Sequence, residues 1–308
     1  MYRKRRKIKG YRGTVRVGSK GSFKFIFIAV VAIAIISALI TGVVLGKNAE
    51  KSEINSFGRH NLNEFGGVDK PAADYAELDR LNGVALSDAG NDRQGFKSAV
   101  GDVVGGNAVA FWANDSEGKP FFTGNTSSVA AASSVTAEEI ERIIYERGRL
   151  SVALFDVISF KEADQGKRIV RSAEEIALLS ELVAAGIDEI LLFNLPDDSD
   201  LSRSVTAYLA LTEAECERAN ICVVLSEIAL KGSGAARMIN ATEGYADAYA
   251  ADLRGLSVEQ LAGAIEKYAY FISNYNMRLI ISSGEQANKD SVLALLDAYG
   301  IESYILAD

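Results

Sequence analysis

The chain has 308 residues, 48% apolar and 24% charged, which supports a sizeable buried core and argues against a disordered or fibrous polymer. Its net charge of −8 hides a division: residues 1–24 carry ten Lys or Arg and no acid, whereas residues 47–308 carry 23 basic and 41 acidic residues, a net −18. One histidine, His60, and two cysteines, Cys216 and Cys222, argue against a histidine-based metal site, a zinc-type cysteine cluster and a Ser-His-Asp triad.

Residues 1–24 read as a basic cytoplasmic tail that runs directly into Phe25 to Leu45, 21 residues without a charge. As a helix this run would span about 31 Å, close to the hydrocarbon thickness of a bilayer. A cleaved signal peptide has a shorter core, about 7 to 15 apolar residues, and a small-x-small exit. Residues 25–46 are therefore expected to be a transmembrane helix that stays attached. The positive-inside rule keeps the tail in the cytoplasm and puts the acidic remainder outside, giving a single-pass type II protein of the cell membrane. On this reading Arg3, Lys4, Arg5, Arg6 and Lys7 set topology and meet lipid headgroups, and no nucleic-acid partner is expected. Residues 47–82 are polar, with scattered apolar positions, and form an extracytoplasmic linker in which His60 is solvated.

From Gly83 short apolar strands alternate with helical patterns. The strands are expected at Val84 to Ser87, Ala108 to Ala113, Ser151 to Ile158, Glu189 to Phe193, Ile221 to Leu225, Ala246 to Ala250, Arg278 to Ser282 and Ser303 to Leu306. Between them, Ile176, Leu179 and Val183, and then Val258, Leu261, Ala262, Ile265, Ala269 and Ile272, keep helical spacing. Thr136 with Glu139 and Ser257 with Gln260 match capping boxes, and Gly186 fits a helix C-terminus. Asn114 to Thr123 reads as a hairpin extension. Continuously apolar strands suit a parallel sheet covered on both faces. Eight such units over residues 83–308 predict an α/β fold, a (β/α)8 TIM-like barrel preceded by the N-terminal transmembrane helix, over an open doubly wound sheet. No helical pattern follows the eighth strand, and the segment before Gly83 is expected to fill that gap. Cys216 falls at a helix end and Cys222 inside the next strand, layers too far apart to bridge, so both are expected to be buried thiols.

The strand ends are acidic: Asp88, Asp115 and Glu117, Glu162, Asp197 and Asp198, Glu227, Asp252 and Glu285. In a barrel they crowd one rim, where two carboxylates about 5 to 9.5 Å apart can cleave a glycosidic bond. Asp115 and Glu227 are the candidate catalytic pair, with Asp88 and Glu162 as further ligand-binding acids. Lys161 is placed to orient a ligand, and Trp112 to stack against a sugar. Neither glycine-rich stretch, VGGNAV nor KGSGAAR, matches a nucleotide loop, so no cofactor or metal is expected.

The order NAVAFWANDSEG, VALFDVISFKEAD, AAGIDEILLFNLP, VVLSE, YADAYAADL and GIESYILAD resembles the glycoside-hydrolase-type TIM barrels of bacterial membrane-anchored envelope proteins, over about Gly83 to Asp308. The positions that match are Asn107, Ala108, Val109, Asp115, Gly118, Phe160, Lys161, Gly186, Asp188, Glu189, Ile190 and Pro196. The resemblance implies an acid where this chain has Trp112, a lysine where it has Asn114, and an acid and an arginine where it has Phe193, Asn194 and Leu195. Asn194 therefore joins the candidate ligand-binding residues without replacing a carboxylate. The expectation is an extracytoplasmic barrel that acts on or binds an envelope or extracellular polysaccharide. The alternative is a catalytically inactive barrel that binds a glycan or an envelope protein partner.

Overall fold

The structure, a computed structural model, describes residues 78–86, 92–124, 131–198, 200–216, 219–282 and 286–307. The tail, the apolar run from Phe25 to Leu45 and most of the linker lie outside the described residues, as do the candidate Asp88 and Glu285. Among the described residues no helix is long and apolar enough to cross a membrane.

Eight strands form a closed ring: β1 (Asn82–Ala85), β2 (Ala108–Trp112), β3 (Leu150–Asp156), β4 (Glu189–Phe193), β5 (Asn220–Ser226), β6 (Ala248–Asp252), β7 (Arg278–Ile281) and β8 (Tyr304–Leu306). All neighbours are parallel, and β8 returns to β1 with Ile305 opposite Gly83. Between the strands run α1 (Arg93–Asp102), α2 (Ala137–Tyr145), α3 (Gln165–Ala185), α4 (Ser202–Glu215), α5 (Glu227–Lys231), α6 (Gly234–Thr242), α7 (Val258–Asn274) and α8 (Gln286–Ala298). This is the (β/α)8 barrel that the alternation predicts. Both capping boxes form, at Thr136 with Glu139 and at Ser257 with Gln260, and Gly186 ends α3 in the left-handed region at φ 97°.

Side chains alternate along each strand between two cores. In β3, Ala153 and Phe155 face the helices, where they join Leu179, Leu182, Ile140 and Phe111. Leu150, Val152 and Leu154 face the barrel axis, where they meet Leu191, Val224 and Ile280. Small Ala108, Ala110 and Ala250 stand among these larger residues, as close packing of a barrel interior requires.

The N-terminal end of the barrel is sealed. Arg278 and Glu189, both buried, form an ion pair on the axis. Asn220 Nδ2 donates to Glu189 Oε1 at 2.7 Å, and Arg278 Nη2 donates to the Leu78 carbonyl at 2.7 Å. Leu78 and Leu81 pack into the axial core. The sequence reading has this segment filling the helix layer beside β8; its described part instead plugs the barrel floor, because two apolar side chains and one carbonyl complete the lowest interior layer.

Most strand boundaries shift from expectation by one or two residues, β1 by two at each end, and two of the shifts have a visible cause. β3 stops at Asp156 rather than Ile158, because the amides of Ile158 and Ser159 both donate to Glu175 Oε1 at 2.8 Å and turn the chain into a 3-10 turn, Ser159–Lys161. β6 begins at Ala248 rather than Ala246, since Tyr245 and Ala246 still donate to the Thr242 carbonyl in a turn. Cys216 ends α4 and Cys222 lies within β5, both buried free thiols as expected.

Candidate functional site

The C-terminal ends of the strands form the mouth, where barrels of this kind carry their chemistry. The interior register fixes which residues reach it. Trp112 continues the Ala108, Ala110 face of β2, and Phe193 continues the Leu191 face of β4. Their ring centroids are 5.0 Å apart at an interplanar angle of 46°. The guanidinium of Arg254, from the loop after β6, lies 5.2 Å from the Trp112 ring centroid and 5.0 Å from that of Phe193. Asp252, the last residue of β6, holds it there. Arg254 Nε donates to Asp252 Oδ1 at 2.8 Å and Nη2 to Oδ2 at 2.7 Å. The axis thus ends in an aromatic floor covered by one ion-paired guanidinium.

Beside this floor stands Asp156, the last residue of β3, on the same face as Val152 and Leu154 and opposite Phe193 in the register. It is 7% exposed. Asn194 Nδ2 donates to Asp156 Oδ1 at 2.6 Å, and Lys161 Nζ lies 3.4 Å from Oδ2. Asn194 adopts φ 60°, a left-handed conformation that asparagine tolerates better than other residues with a side chain. Buried Asn114 locks the Asp156 backbone: its Nδ2 donates to the Asp156 carbonyl at 2.8 Å, and its Oδ1 accepts from the Asp156 amide at 2.9 Å. The β2–α2 loop is tied to the same corner by Lys161 Nζ on the Ser116 carbonyl at 3.4 Å and Arg171 Nη2 on the Glu117 carbonyl at 2.8 Å. An antiparallel bridge between Asn114 and Pro120 makes this loop the small hairpin that its turn chemistry predicts.

Below the 3-10 turn, Glu175 is buried beside Ser159 and Tyr208. Burial pushes the Glu175 carboxyl up, against the pull of the Ser159 side chain, the two amides and Arg171. Burial also raises the Tyr208 hydroxyl well above its usual range, with the Glu175 charge adding to it. This acid shapes the turn that carries Lys161 without reaching the mouth itself.

Of the residues singled out from sequence, the structure brings Trp112, Lys161 and Asn194 to the mouth, and it joins the last two through Asp156. Asp115 is exposed, and its Oδ1 accepts from its own turn, the amides of Glu117 at 2.9 Å and Lys119 at 2.8 Å. Glu227, at the start of α5, pairs with Lys231 at 2.8 Å. The strands that precede these two acids, β2 and β5, are three places apart in the ring. Glu162 ends the 3-10 turn, where its carbonyl accepts from Arg168. Asp197 and Asp198 belong to the β4–α4 loop: the Asp197 carbonyl accepts from Arg237 Nε, and Asp198 Oδ1 accepts from the Asp200 amide. Burial pushes the Cys216 thiol up to about 12, with Glu215 adding to the effect, so it is no nucleophile at neutral pH.

Asp156, Arg254 and the positioning role of Glu175 escape a sequence reading that takes Glu162 as the acid ending the third strand. The alternating register of Val152, Leu154 and Asp156 is the signal that places Asp156 on the axis. Asp252 and Arg254, two residues apart, carry the corresponding signal for the sixth strand.

Asn107, Asp188 and Glu189, which match the resembling barrels, all serve the opposite end. Asn107 and Asn82 exchange side-chain-to-amide hydrogen bonds at 2.8 Å, and Asp188 Oδ2 accepts from the Ser151 amide and hydroxyl. They build the scaffold at the strand starts. A cleft of about 650 Å³ also lies at that end, lined by Arg80, Glu266, Tyr299 and Glu302 among others. It sits outside the sealed floor and away from the strand C-termini, where barrels of this kind carry their chemistry, so the mouth is the better candidate.

No protein-family model matches the chain, and no curated protein does. Among solved structures, the barrel is similar to a GH18 chitinase from Pseudoalteromonas aurantia, at 9% identity and TM-score 0.50, covering 74% of this chain and 93% of that one. It is also similar to a GH113 β-1,4-mannanase, at 7% identity and TM-score 0.50, covering 74% and 87%. The chain therefore shares the TIM-barrel fold of glycoside hydrolases.

Proposed function

We propose that residues 83–308 form a membrane-anchored, extracytoplasmic barrel that binds an envelope or extracellular glycan at its mouth without hydrolysing it. One observation carries the reading: the two carboxylates on the barrel axis, Asp156 and Asp252, and both members of the candidate pair, Asp115 and Glu227, are already engaged. Asp252 is held by Arg254, and Asp156 by Asn194 and Lys161. Glu227 pairs with Lys231, and Asp115 closes its own turn. Glycosidic cleavage needs one acid free to give a proton and a second facing the sugar. A binding mouth needs an aromatic floor and directed polar groups, and Trp112, Lys161, Asn194 and Arg254 supply them. The uncharged run Phe25 to Leu45 and the basic residues before it support the anchoring and the outward orientation.

Hydrolysis is the second reading, favoured by the activities of the two solved barrels, a chitinase and a β-1,4-mannanase. On it Asp115 and Glu227 are the carboxylate pair, Asp88 and Glu162 assist, and Lys161 orients the sugar. Incubating the full chain with chitin oligosaccharides and β-1,4-mannan, and measuring new reducing ends, separates the two. Binding without reducing ends supports the proposal. Turnover that Asp115→Asn and Glu227→Gln both abolish replaces it with the hydrolase.

A further inference from the structure

We infer that the ligand of this mouth carries an oxyanion, a carboxylate or a phosphate on the sugar, gripped by Arg254 and Lys161. The inference rests on the glycan-binding reading and names the class of glycan.

A guanidinium has five N–H donors. Arg254 directs Nε and one Nη2 hydrogen at Asp252, which leaves three donors with no further partner among the described residues. An ammonium has three. Lys161 makes two contacts, each at 3.4 Å, to Asp156 Oδ2 and the Ser116 carbonyl, so its third hydrogen is uncommitted and the first two are loosely held. Asn194 spends one amide hydrogen on Asp156 and keeps the other. On the acceptor side, each oxygen of Asp156 and of Asp252 already takes a hydrogen bond from a cation or an amide, which leaves second lone pairs there and Asn194 Oδ1 as acceptors. A neutral sugar presents hydroxyls that both give and accept, and it is best held by a mixture of free donors and acceptors. Four of the uncommitted donors of this mouth sit on cations, Arg254 and Lys161, and the Lys161 ammonium is far more exposed than the Asp156 carboxylate behind it, which suits a charged group that only accepts.

Exposure points the same way. The Lys161 side chain is 52% exposed and that of its partner Asp156 is 10%. Seen from solvent, the ammonium stands in front of its carboxylate. Arg254 lies over Trp112 and Phe193, so a sugar approaching the aromatic floor meets the guanidinium first. Asp252 fixes the plane of Arg254 through two parallel bonds, which preorganises its remaining edge for bidentate contact with an oxyanion. These cations stand out because residues 47–308 carry a net charge of −18. Attraction of an anion to the mouth is local, set by contacts rather than by the field of the whole molecule.

Trp112 is the only tryptophan of the chain, so its fluorescence reports on the mouth alone. The full chain is titrated with trigalacturonate and with the same trisaccharide fully methyl-esterified, which removes the charge and keeps the ring. Mannose 6-phosphate and mannose form the matched phosphate pair, and calorimetry is run in parallel. The charged member of at least one pair is expected to bind tighter by about tenfold or more, and Arg254→Gln or Lys161→Gln to cut that preference to about twofold. Preference for trigalacturonate assigns the carboxylate, and preference for mannose 6-phosphate assigns the phosphate. Equal or tighter binding of the neutral members overturns the oxyanion inference and leaves glycan binding standing. No response to any of the four, by fluorescence or heat, overturns both. The comparison of charged and neutral sugars on the unmodified chain needs no variant to fold.

Discussion

Asn194 reaches Asp156 from a left-handed backbone, donating its amide to Oδ1 at 2.6 Å from φ 60°. The residue that follows the fourth strand thereby fixes the last residue of the third, and the two define one wall of the mouth. Two separable contributions meet at Asn194, tolerance of the backbone angle and a hydrogen bond to a charged group. Asn194→Gly keeps the first and loses the second; Asn194→Ala loses both. Urea denaturation is expected to show a loss of about 1 kcal/mol for the glycine and about 2 kcal/mol for the alanine. Equal losses would mean that the angle contributes nothing.

Arg254 shields the aromatic floor. Arg254→Ala is expected to shift Trp112 emission to longer wavelength and to increase its quenching by acrylamide, since the ring loses its cover. Asp252→Asn should do the same to a smaller degree, because the guanidinium keeps its place over two rings but loses its charged partner. An unchanged spectrum in both variants would place Arg254 elsewhere in solution.

Glu175 predicts an unusual pH response. Its folded pKa is raised above its ordinary value of 4.5 by burial, so the folded state holds the proton more tightly than the unfolded chain does. Its contribution to stability is therefore fully present below 4.5 and is lost as pH rises through the folded value. Glu175→Gln keeps an oxygen for the amides of Ile158 and Ser159 and removes the titration. Urea denaturation between pH 4 and 8 should show the unmodified chain losing stability relative to this variant as pH rises. Glu175→Ala, which leaves both amides without an acceptor, should be less stable than the unmodified chain at every pH, by about 2 kcal/mol. A difference between the unmodified chain and Glu175→Gln that stays constant with pH contradicts the account.

The sealed floor is a buried ion pair and should behave as one. Glu189 is pushed toward its neutral form by burial, opposed by Arg278 and Asn220. Removing one partner leaves the other buried without its counter-charge, so Arg278→Met or Glu189→Met alone should cost about 3–5 kcal/mol. The double methionine variant should be more stable than either single one, because no charge remains to be solvated. A double-mutant cycle by urea denaturation measures this directly, and additive losses would refute the coupling.

Much of the scaffold was legible in the residues. Apolar strands at regular intervals, two capping boxes and Gly186 gave the closed barrel, because parallel strands buried on both faces leave few other arrangements. The mouth was legible in part. Trp112, Lys161 and Asn194 stand out by chemical type and by position near strand ends. Asp156 does not, because a reading that extends β3 to Ile158 places this acid inside a strand and turns attention to Glu162. The 3-10 turn that corrects the boundary depends on Glu175, a residue on the next helix whose buried carboxylate captures two amides. Arg254 was obscured for a related reason: its place over Trp112 and Phe193 comes from three strands meeting at the axis, and local spacing carries no trace of that. The matches at Asn107, Asp188 and Glu189 reflect how strand starts are braced, which explains why a scaffold likeness says little about chemistry at the other end.

The central claim, a mouth that holds a glycan and leaves it whole, is tested most directly by a crystal structure of the chain with trigalacturonate bound. The account predicts an intact trisaccharide seated on the Arg254 guanidinium that covers Trp112, with its carboxylates within hydrogen-bond distance of Arg254 and Lys161. A cleaved sugar in the mouth, or a trisaccharide bound anywhere else, would contradict it.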